Sequence, residues 1–121
     1  MTISRVYFAI YTSYFCYFFP GENEITGNIP SEFGNLESIK EINLSNNELA
    51  GTIPTQISQL ETIQVIDVGS NQITGEIPPE IFLLENVQEI SAGDNDLKGT
   101  IPSEIGSGIN LQVIDFGEYS A

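Results

Sequence analysis

The sequence predicts an α/β solenoid, in which short coils of chain stack side by side around one shared core. Three observations lead to this prediction: a 24-residue period, apolar columns that follow the same period, and an alternating apolar–polar pattern within each unit. The chain has 121 residues, enough for one domain with a core. A 24-residue unit has too few apolar side chains to bury a core alone, whereas stacked units share one.

A Gly-x-Ile-Pro motif recurs every 24 residues without insertion, and four of the six prolines belong to it. The motif ends four similar segments, at 23–30, 47–54, 71–78 and 95–102. Counting from the asparagine that begins each segment divides the chain into predicted units. These are a leader at 1–22, repeats at 23–46, 47–70, 71–94 and 95–118, and a tail at 119–121.

Seven apolar columns follow the same period, and 27 of their 28 positions are apolar, with Gly108 as the exception. One column contains Ile42, Ile66, Ile90 and Ile114. Each of these residues begins an apolar–polar–apolar alternation, which is typical of a half-buried strand. Stacked strands about 4.8 Å apart form a parallel sheet. The stretch after each Gly-x-Ile-Pro motif has room only for a helical or 3₁₀ turn.

The combined pattern L-x-x-L-x-L-x-x-N-x-L-x-G-x-I-P over residues 23–118 resembles the plant-type leucine-rich repeat of receptor-like kinases, receptor-like proteins and polygalacturonase inhibitors. The resemblance implies a right-handed coil with short parallel β-strands on a concave face, turns and 3₁₀ segments on the convex face, and a second run of short strands near the Gly-x-Ile-Pro motifs. It also implies a ligand surface on the concave side. The paired-cysteine caps of extracellular members are missing, so the chain resembles a short array or a fragment of a longer one.

The composition excludes several classes of function. With 17 acidic and 3 basic residues the formal net charge is −14, which argues against nucleic-acid binding. The chain has no histidine, so imidazole-based catalysis is excluded, and its single cysteine, Cys16, excludes disulfide frameworks and multi-cysteine zinc sites. No pocket is expected to separate the pKa values of two carboxylates for glycoside hydrolysis. We therefore predict no enzymatic activity, no catalytic residues, no metal and no cofactor.

Outward-facing positions on the predicted strands are the candidate ligand-binding residues. Seven of them are acidic, amide-bearing or small, two are valines, and no aromatic anchor lies among them. This composition favours a protein or peptide ligand of basic character, with a solvated sheet face as the alternative. The candidates are Glu41, Asn43, Val65, Asp67, Glu89, Ser91, Asp94, Val113 and Asp115.

Two further columns have structural interpretations. The asparagine column (Asn23, Asn47, Asn71 and Asn95) is predicted to hydrogen-bond nearby backbone groups. Acidic columns such as Glu37, Glu61 and Glu85 place like charges one coil apart. Three explanations of these columns remain open: a solubilising surface, a high-salt setting that screens the repulsion, and bridging by divalent ions.

Two features bear on location. Asn43 begins the sequon Asn-Leu-Ser and is a glycosylation candidate if the chain is secreted. Residues 6–19 carry no charge, and their length suits a signal-peptide core or an anchor. A second interpretation is a degenerate N-terminal cap, because Phe18 falls in the column of Ile42. We therefore predict an extracellular or membrane-associated protein, attached through this segment or through a missing part of a longer chain.

The predicted function is a non-catalytic protein–protein interaction module that binds through its concave face. By resemblance, it would be a recognition segment of a receptor-like or inhibitor-like protein, with a role in signal transduction. Two alternatives stay open: an orphan structural fragment, and an acidic cation-binding surface protein without a specific protein ligand.

Overall fold

The chain folds into a stack of similar coils around one core. The computed structural model describes residues 17–18, 25–108 and 110–117, so most of the predicted leader, Asn23, Cys16 and the tail at 119–121 lie outside the described residues. Within those residues there are nine short strands, namely β1 (Tyr17–Phe18), β2 (Thr26–Asn28), β3 (Glu41–Asn43), β4 (Glu48–Ala50), β5 (Val65–Asp67), β6 (Thr74–Gly75), β7 (Glu89–Ser91), β8 (Asp96–Leu97) and β9 (Val113–Asp115).

Five of these strands form one parallel sheet in the order β1-β3-β5-β7-β9. From β3 onward each residue pairs with the residue 24 positions later, so Ile42, Ile66, Ile90 and Ile114 lie in register. In β1, Phe18 pairs with Ile42, also 24 positions later, which is the register that the cap interpretation predicts for that residue. The parallel solenoid sheet predicted from the sequence is confirmed.

Smaller strands and turns complete each coil. β2 pairs with β4 and β6 with β8, both parallel, which forms the second strand run next to the Gly-x-Ile-Pro motifs. The motif requires its glycine: Gly75 has φ +83°, and a Cβ there would lie 2.8 Å from Thr52 Cγ2. After each motif the chain makes a 3₁₀ turn, and these turns are Ser31–Asn35, Thr55–Gln59, Pro79–Leu83 and Ser103–Ser107.

The core lies between the sheet and the turns. The predicted columns are buried through the first three coils, but the last coil exposes part of its column residues. One core residue lies outside the seven predicted columns: Phe82 is fully buried, although Gly34, Ser58 and Gly106 occupy the same position in the other coils. Phe82 packs edge-on against Phe116, with ring centroids 6.2 Å apart. Phe116 occupies the column of Leu44, Val68 and Ala92, so a large side chain follows a small one there.

Asparagine side chains connect each coil to the one before it. Asn71 Oδ1 accepts a hydrogen bond from the Leu49 N–H at 3.0 Å. Its Nδ2 donates to three carbonyl oxygens, those of Leu44, Val68 and Gly69, at 3.0 to 3.1 Å. Asn95 makes the same four kinds of bond, and Asn47 accepts from the Ile25 N–H and donates to the carbonyls of Leu44 and Ser45. The predicted structural role of this column is confirmed for the described asparagines.

Candidate functional site

The structure brings eight of the nine candidate residues together on the outward side of the five-stranded sheet, which we call the concave face. They form two columns across β3, β5, β7 and β9, in the register given by the strand pairing. Those on β3, β5 and β7 are half-buried and those on β9 are exposed. The first column is Glu41, Val65, Glu89 and Val113, and the second is Asn43, Asp67, Ser91 and Asp115.

Each of these four strands carries one carboxylate, and successive strands carry it in alternate columns. The carboxylates therefore zigzag across the sheet, from Glu41 to Asp67, Glu89 and Asp115. Adjacent strands lie about 4.8 Å apart, so carboxylates in the same column are about 9.6 Å apart. We call this arrangement the carboxylate zigzag.

The aspartates of the zigzag also hold the backbone in place. Asp67 Oδ1 accepts a hydrogen bond from the Gly69 N–H, and Asp115 Oδ1 accepts one from the Gly117 N–H, both at 3.0 Å. Asn43 does the same for the Ser45 N–H at 3.0 Å. These are Asx turns, which end the strands. This role was not predicted from the sequence, although an Asp or Asn two residues before Gly or Ser indicates it.

A shallow groove of about 330 Å³ runs along the edge of the concave face where the strands end. Ser45, Gly69, Gly93 and Gly117 form one column of small residues along it, so backbone is accessible there. The ninth candidate, Asp94, lines this groove from the turn after β7. It has a left-handed backbone with φ 55°, and its Oδ2 accepts a hydrogen bond from Ser70 Oγ at 3.3 Å. Asp94 therefore belongs to the rim of the face and not to the strands.

Three other sequence predictions concern the same region. Asn43, the glycosylation candidate, is half-buried, and its Oδ1 also accepts a hydrogen bond from Ser45 Oγ at 2.6 Å. Glycosylation there stays a prediction. Among residues 17–18, 25–108 and 110–117, no group of three or more acidic, cysteine or histidine side chains could hold a metal ion. In the same part of the chain, no helix has the length and apolarity needed to cross a membrane.

Away from the concave face, Glu37, Glu61 and Glu85 form the continuous acidic column, and all three are exposed. Side chains of the following coil hold their backbone: Asn86 Nδ2 donates to the Glu61 carbonyl at 2.8 Å, and Asn110 Nδ2 donates to that of Glu85 at 2.6 Å. These hydrogen bonds fix the distance between successive coils at this column. The carboxylates of Glu37, Glu61 and Glu85 are therefore held one coil apart.

We expect the stability of the fold to rise with ionic strength, because the carboxylates of Glu37, Glu61 and Glu85 repel one another. Two like charges about 5 Å apart in water cost about 0.8 kcal/mol. At low salt, Glu61→Gln should raise the melting temperature, since it removes the repulsion with both neighbours, and the gain should shrink as NaCl is added. Glu76→Gln is the control, because Asn28, Thr52 and Thr100 occupy its column. Thermal melts over a NaCl series measure both variants, and equal shifts would contradict the explanation.

Comparison with known families and structures gives one family match. The Leucine Rich Repeat model matches residues 38–60 and 62–84. No curated protein matches the sequence.

Three solved structures that are similar to this chain come from plants. One is the ectodomain of the Arabidopsis thaliana membrane receptor kinase GASSHO1/SCHENGEN3 in complex with CASPARIAN STRIP INTEGRITY FACTOR 2 (TM-score 0.80, 37% identity, 84% of this chain and 12% of that one). Another is a plant ice-binding protein (TM-score 0.87, 26% identity, 92% and 36%). A third is the plant peptide hormone receptor RGFR1 in complex with RGF2 (TM-score 0.61, 30% identity, 80% and 19%).

The chain thus spans between 12% and 36% of the length of these three structures. In this chain the solenoid consists of the parallel sheet in 24-residue register, the 3₁₀ turns after each motif, and the hydrogen bonds of Asn47, Asn71 and Asn95, which we call the asparagine ladder. Residues 38–84 are leucine-rich repeats, and the chain folds as a leucine-rich-repeat solenoid of the kind found in plant receptor ectodomains.

Proposed function

We propose that the protein is a non-catalytic interaction module that binds a basic peptide along its concave face. The observation that carries the proposal is the carboxylate zigzag beside a groove lined by small residues. Opposite charge steers a cationic ligand to such a surface, and the glycines let its backbone approach closely. The same fold occurs in a peptide hormone receptor and in an ice-binding protein, so the fold alone does not choose the ligand.

The spacing of the zigzag selects a ligand conformation. In a polyproline II helix, side chains three residues apart lie on one edge and are separated by about 9.3 Å. This separation is close to the distance of about 9.6 Å between carboxylates in the same column. In a β-strand, side chains on one face are about 6.8 Å apart. This spacing does not match the distance of about 9.6 Å between carboxylates in the same column. We therefore expect the preferred ligand to carry Lys or Arg at every third position of a proline-rich segment.

Location follows from the same proposal. The receptor neighbours support an extracellular or membrane-associated setting, in which this segment recognises a peptide as part of a receptor-like or inhibitor-like protein. Attachment would come from the N-terminal segment or from further sequence. A glycan on Asn43 would then project from the N-terminal end of the concave face and restrict the ligand to β5, β7 and β9.

Neutralising three of the four carboxylates of the zigzag should weaken peptide binding at least tenfold, about 1.4 kcal/mol. The variant is Asp67→Asn, Glu89→Gln and Asp115→Asn combined. Asparagine keeps the Oδ1 acceptor of the Asx turn, as Asn43 shows, whereas lysine would reverse the charge and also break the turn. Binding of a labelled (Lys-Pro-Pro)₄ peptide is measured by fluorescence anisotropy at low salt.

A matched variant distinguishes the effect of charge on the concave face from the effect of the net charge of the chain. Glu37→Gln, Glu61→Gln and Glu85→Gln combined remove the same number of charges away from the concave face, and we expect less than a threefold change in affinity. Circular dichroism checks that both triple variants keep the native fold. Unchanged binding by the concave-face variant, or equal losses in both variants, would show that the concave face is not the site.

A further inference from the structure

The two columns of the concave face place different side chains between their carboxylates. In the first column, Val65 of β5 pairs with Glu41 of β3 on one side and with Glu89 of β7 on the other. In the second column, a serine lies between two aspartates. A ligand that follows one column therefore meets either a valine or a serine between two negative charges.

The carboxylates of the two columns also differ in their hydrogen bonds. Asp67 and Asp115 each use Oδ1 to accept a backbone N–H in an Asx turn. Among the residues that the structure describes, the side chains of Glu41 and Glu89 make no hydrogen bond and no ion pair. Both oxygens of each glutamate are therefore available to a cationic ligand, whereas a backbone dipole already compensates part of the charge of each aspartate.

The side chain between the carboxylates decides which ligand group is favoured there. Val65 is half-buried, so part of its apolar surface is in contact with solvent. An apolar ligand group placed over the valine removes that surface from water, which is favourable. The same group placed over Ser91 in the second column would desolvate a hydroxyl, which costs free energy unless the ligand supplies a hydrogen bond.

The dimensions of a polyproline II ligand fit the first column. Each residue of this helix advances about 3.1 Å, so the two residues between successive cations are centred about 4.7 Å from the first cation along the axis. β5 lies about 4.8 Å from both β3 and β7. The two spacer residues of the ligand are therefore next to Val65 when its cations are next to Glu41 and Glu89.

We propose that Val65 is a specificity-determining residue, which selects apolar ligand residues between two cations that bind Glu41 and Glu89. This assignment rests on the proposed function and narrows it. The ligand class is a segment in which each Lys or Arg is followed by two apolar residues such as proline. Asp67 and Asp115 contribute negative potential to the face and hold the ends of their strands.

Two double variants with the same loss of charge distinguish the columns. Glu41→Gln combined with Glu89→Gln should weaken binding of labelled (Lys-Pro-Pro)₄ about tenfold, and Asp67→Asn combined with Asp115→Asn only about two- to threefold. Fluorescence anisotropy at low salt measures both. Equal losses, or a larger loss in the aspartate variant, would overturn the assignment to the glutamates and leave the concave face as the binding site. No loss in either variant would overturn the proposed function together with it.

A comparison of two peptides tests Val65 itself. The peptide (Lys-Hyp-Hyp)₄, in which Hyp is hydroxyproline, keeps the charge and the polyproline II conformation and adds a hydroxyl to every spacer. We expect the unaltered chain to bind (Lys-Pro-Pro)₄ at least about fivefold more tightly than this peptide. Val65→Thr, which replaces a methyl group with a hydroxyl, should reduce that preference to less than about twofold.

The two comparisons fail in different ways. Equal binding of both peptides by the unaltered chain would show that the concave face does not select apolar spacers, and would overturn the role of Val65 without any variant. The same preference in Val65→Thr as in the unaltered chain would overturn it as well, since the selection would then come from another residue. Circular dichroism checks that Val65→Thr and both double variants keep the native fold.

Discussion

Replacing Phe82 with alanine should lower the free energy of unfolding by about 3–5 kcal/mol, because it removes a large side chain from a closely packed interior. Phe82 is fully buried and makes an edge-on contact with Phe116, so the cavity would open between the last two coils. Coils of a solenoid stabilise one another only through neighbours, and this loss would therefore spread to the C-terminal coil. Urea denaturation followed by circular dichroism measures the change.

The adjacent residue provides the control for that substitution. Leu83 is 56% exposed, so Leu83→Ala should change the free energy of unfolding by no more than about 0.5 kcal/mol. Both variants remove an apolar side chain from the same 3₁₀ turn, Pro79–Leu83, so effects on the turn itself are shared. Similar small losses in the two variants would show that Phe82 does not contribute to the core in this way.

Replacing Asn71 with alanine should cost about 2–4 kcal/mol, since its side chain supports four backbone groups at once. The Leu49 N–H would lose its acceptor, and the carbonyls of Leu44, Val68 and Gly69 would lose a donor. An unpaired buried polar group costs about 1–3 kcal/mol. We expect the loss in urea denaturation, together with faster amide exchange at Leu49.

Gln72→Ala is the matched control for Asn71. Its side chain is exposed, and its backbone N–H bond to the Leu49 carbonyl at 2.8 Å does not depend on the side chain. The expected change is within about 0.5 kcal/mol. If Asn71→Ala were equally mild, the asparagine ladder would not be the connection between coils that the hydrogen bonds indicate.

Much of the fold follows from the period alone. A side chain repeated every 24 residues meets its counterpart in the next coil, so the register of Ile42, Ile66, Ile90 and Ile114 can be predicted without coordinates. Glycine at a tight backbone passage and asparagine beside unpaired amides are likewise predictable, because each residue has a distinct backbone requirement. The same reasoning places all nine candidate residues on the outward side of the strands, and the structure has eight of them there, with Asp94 in the turn after β7.

The candidate site is less predictable from the period, because its chemistry depends on neighbours within a coil as well as between coils. The double role of Asp67 and Asp115 depends on a backbone bend two residues later, which the column pattern does not describe. The alternation that forms the carboxylate zigzag is visible in the sequence. It becomes a spacing relevant to a ligand only when the strands have a known separation and face.

By itself the sequence determined the repeat, the strand register and the acidic character of the exposed sheet face, since these depend only on which residues recur at a fixed interval. Tertiary structure alone decided that Phe82 belongs to the core and that Ile114 and Ile101 do not have full cover. The physical reason is that burial is a property of what lies next to a side chain in space. The repeat pattern predicts whether a side chain points inward or outward. Whether an inward-pointing side chain is buried depends on the coil that packs against it.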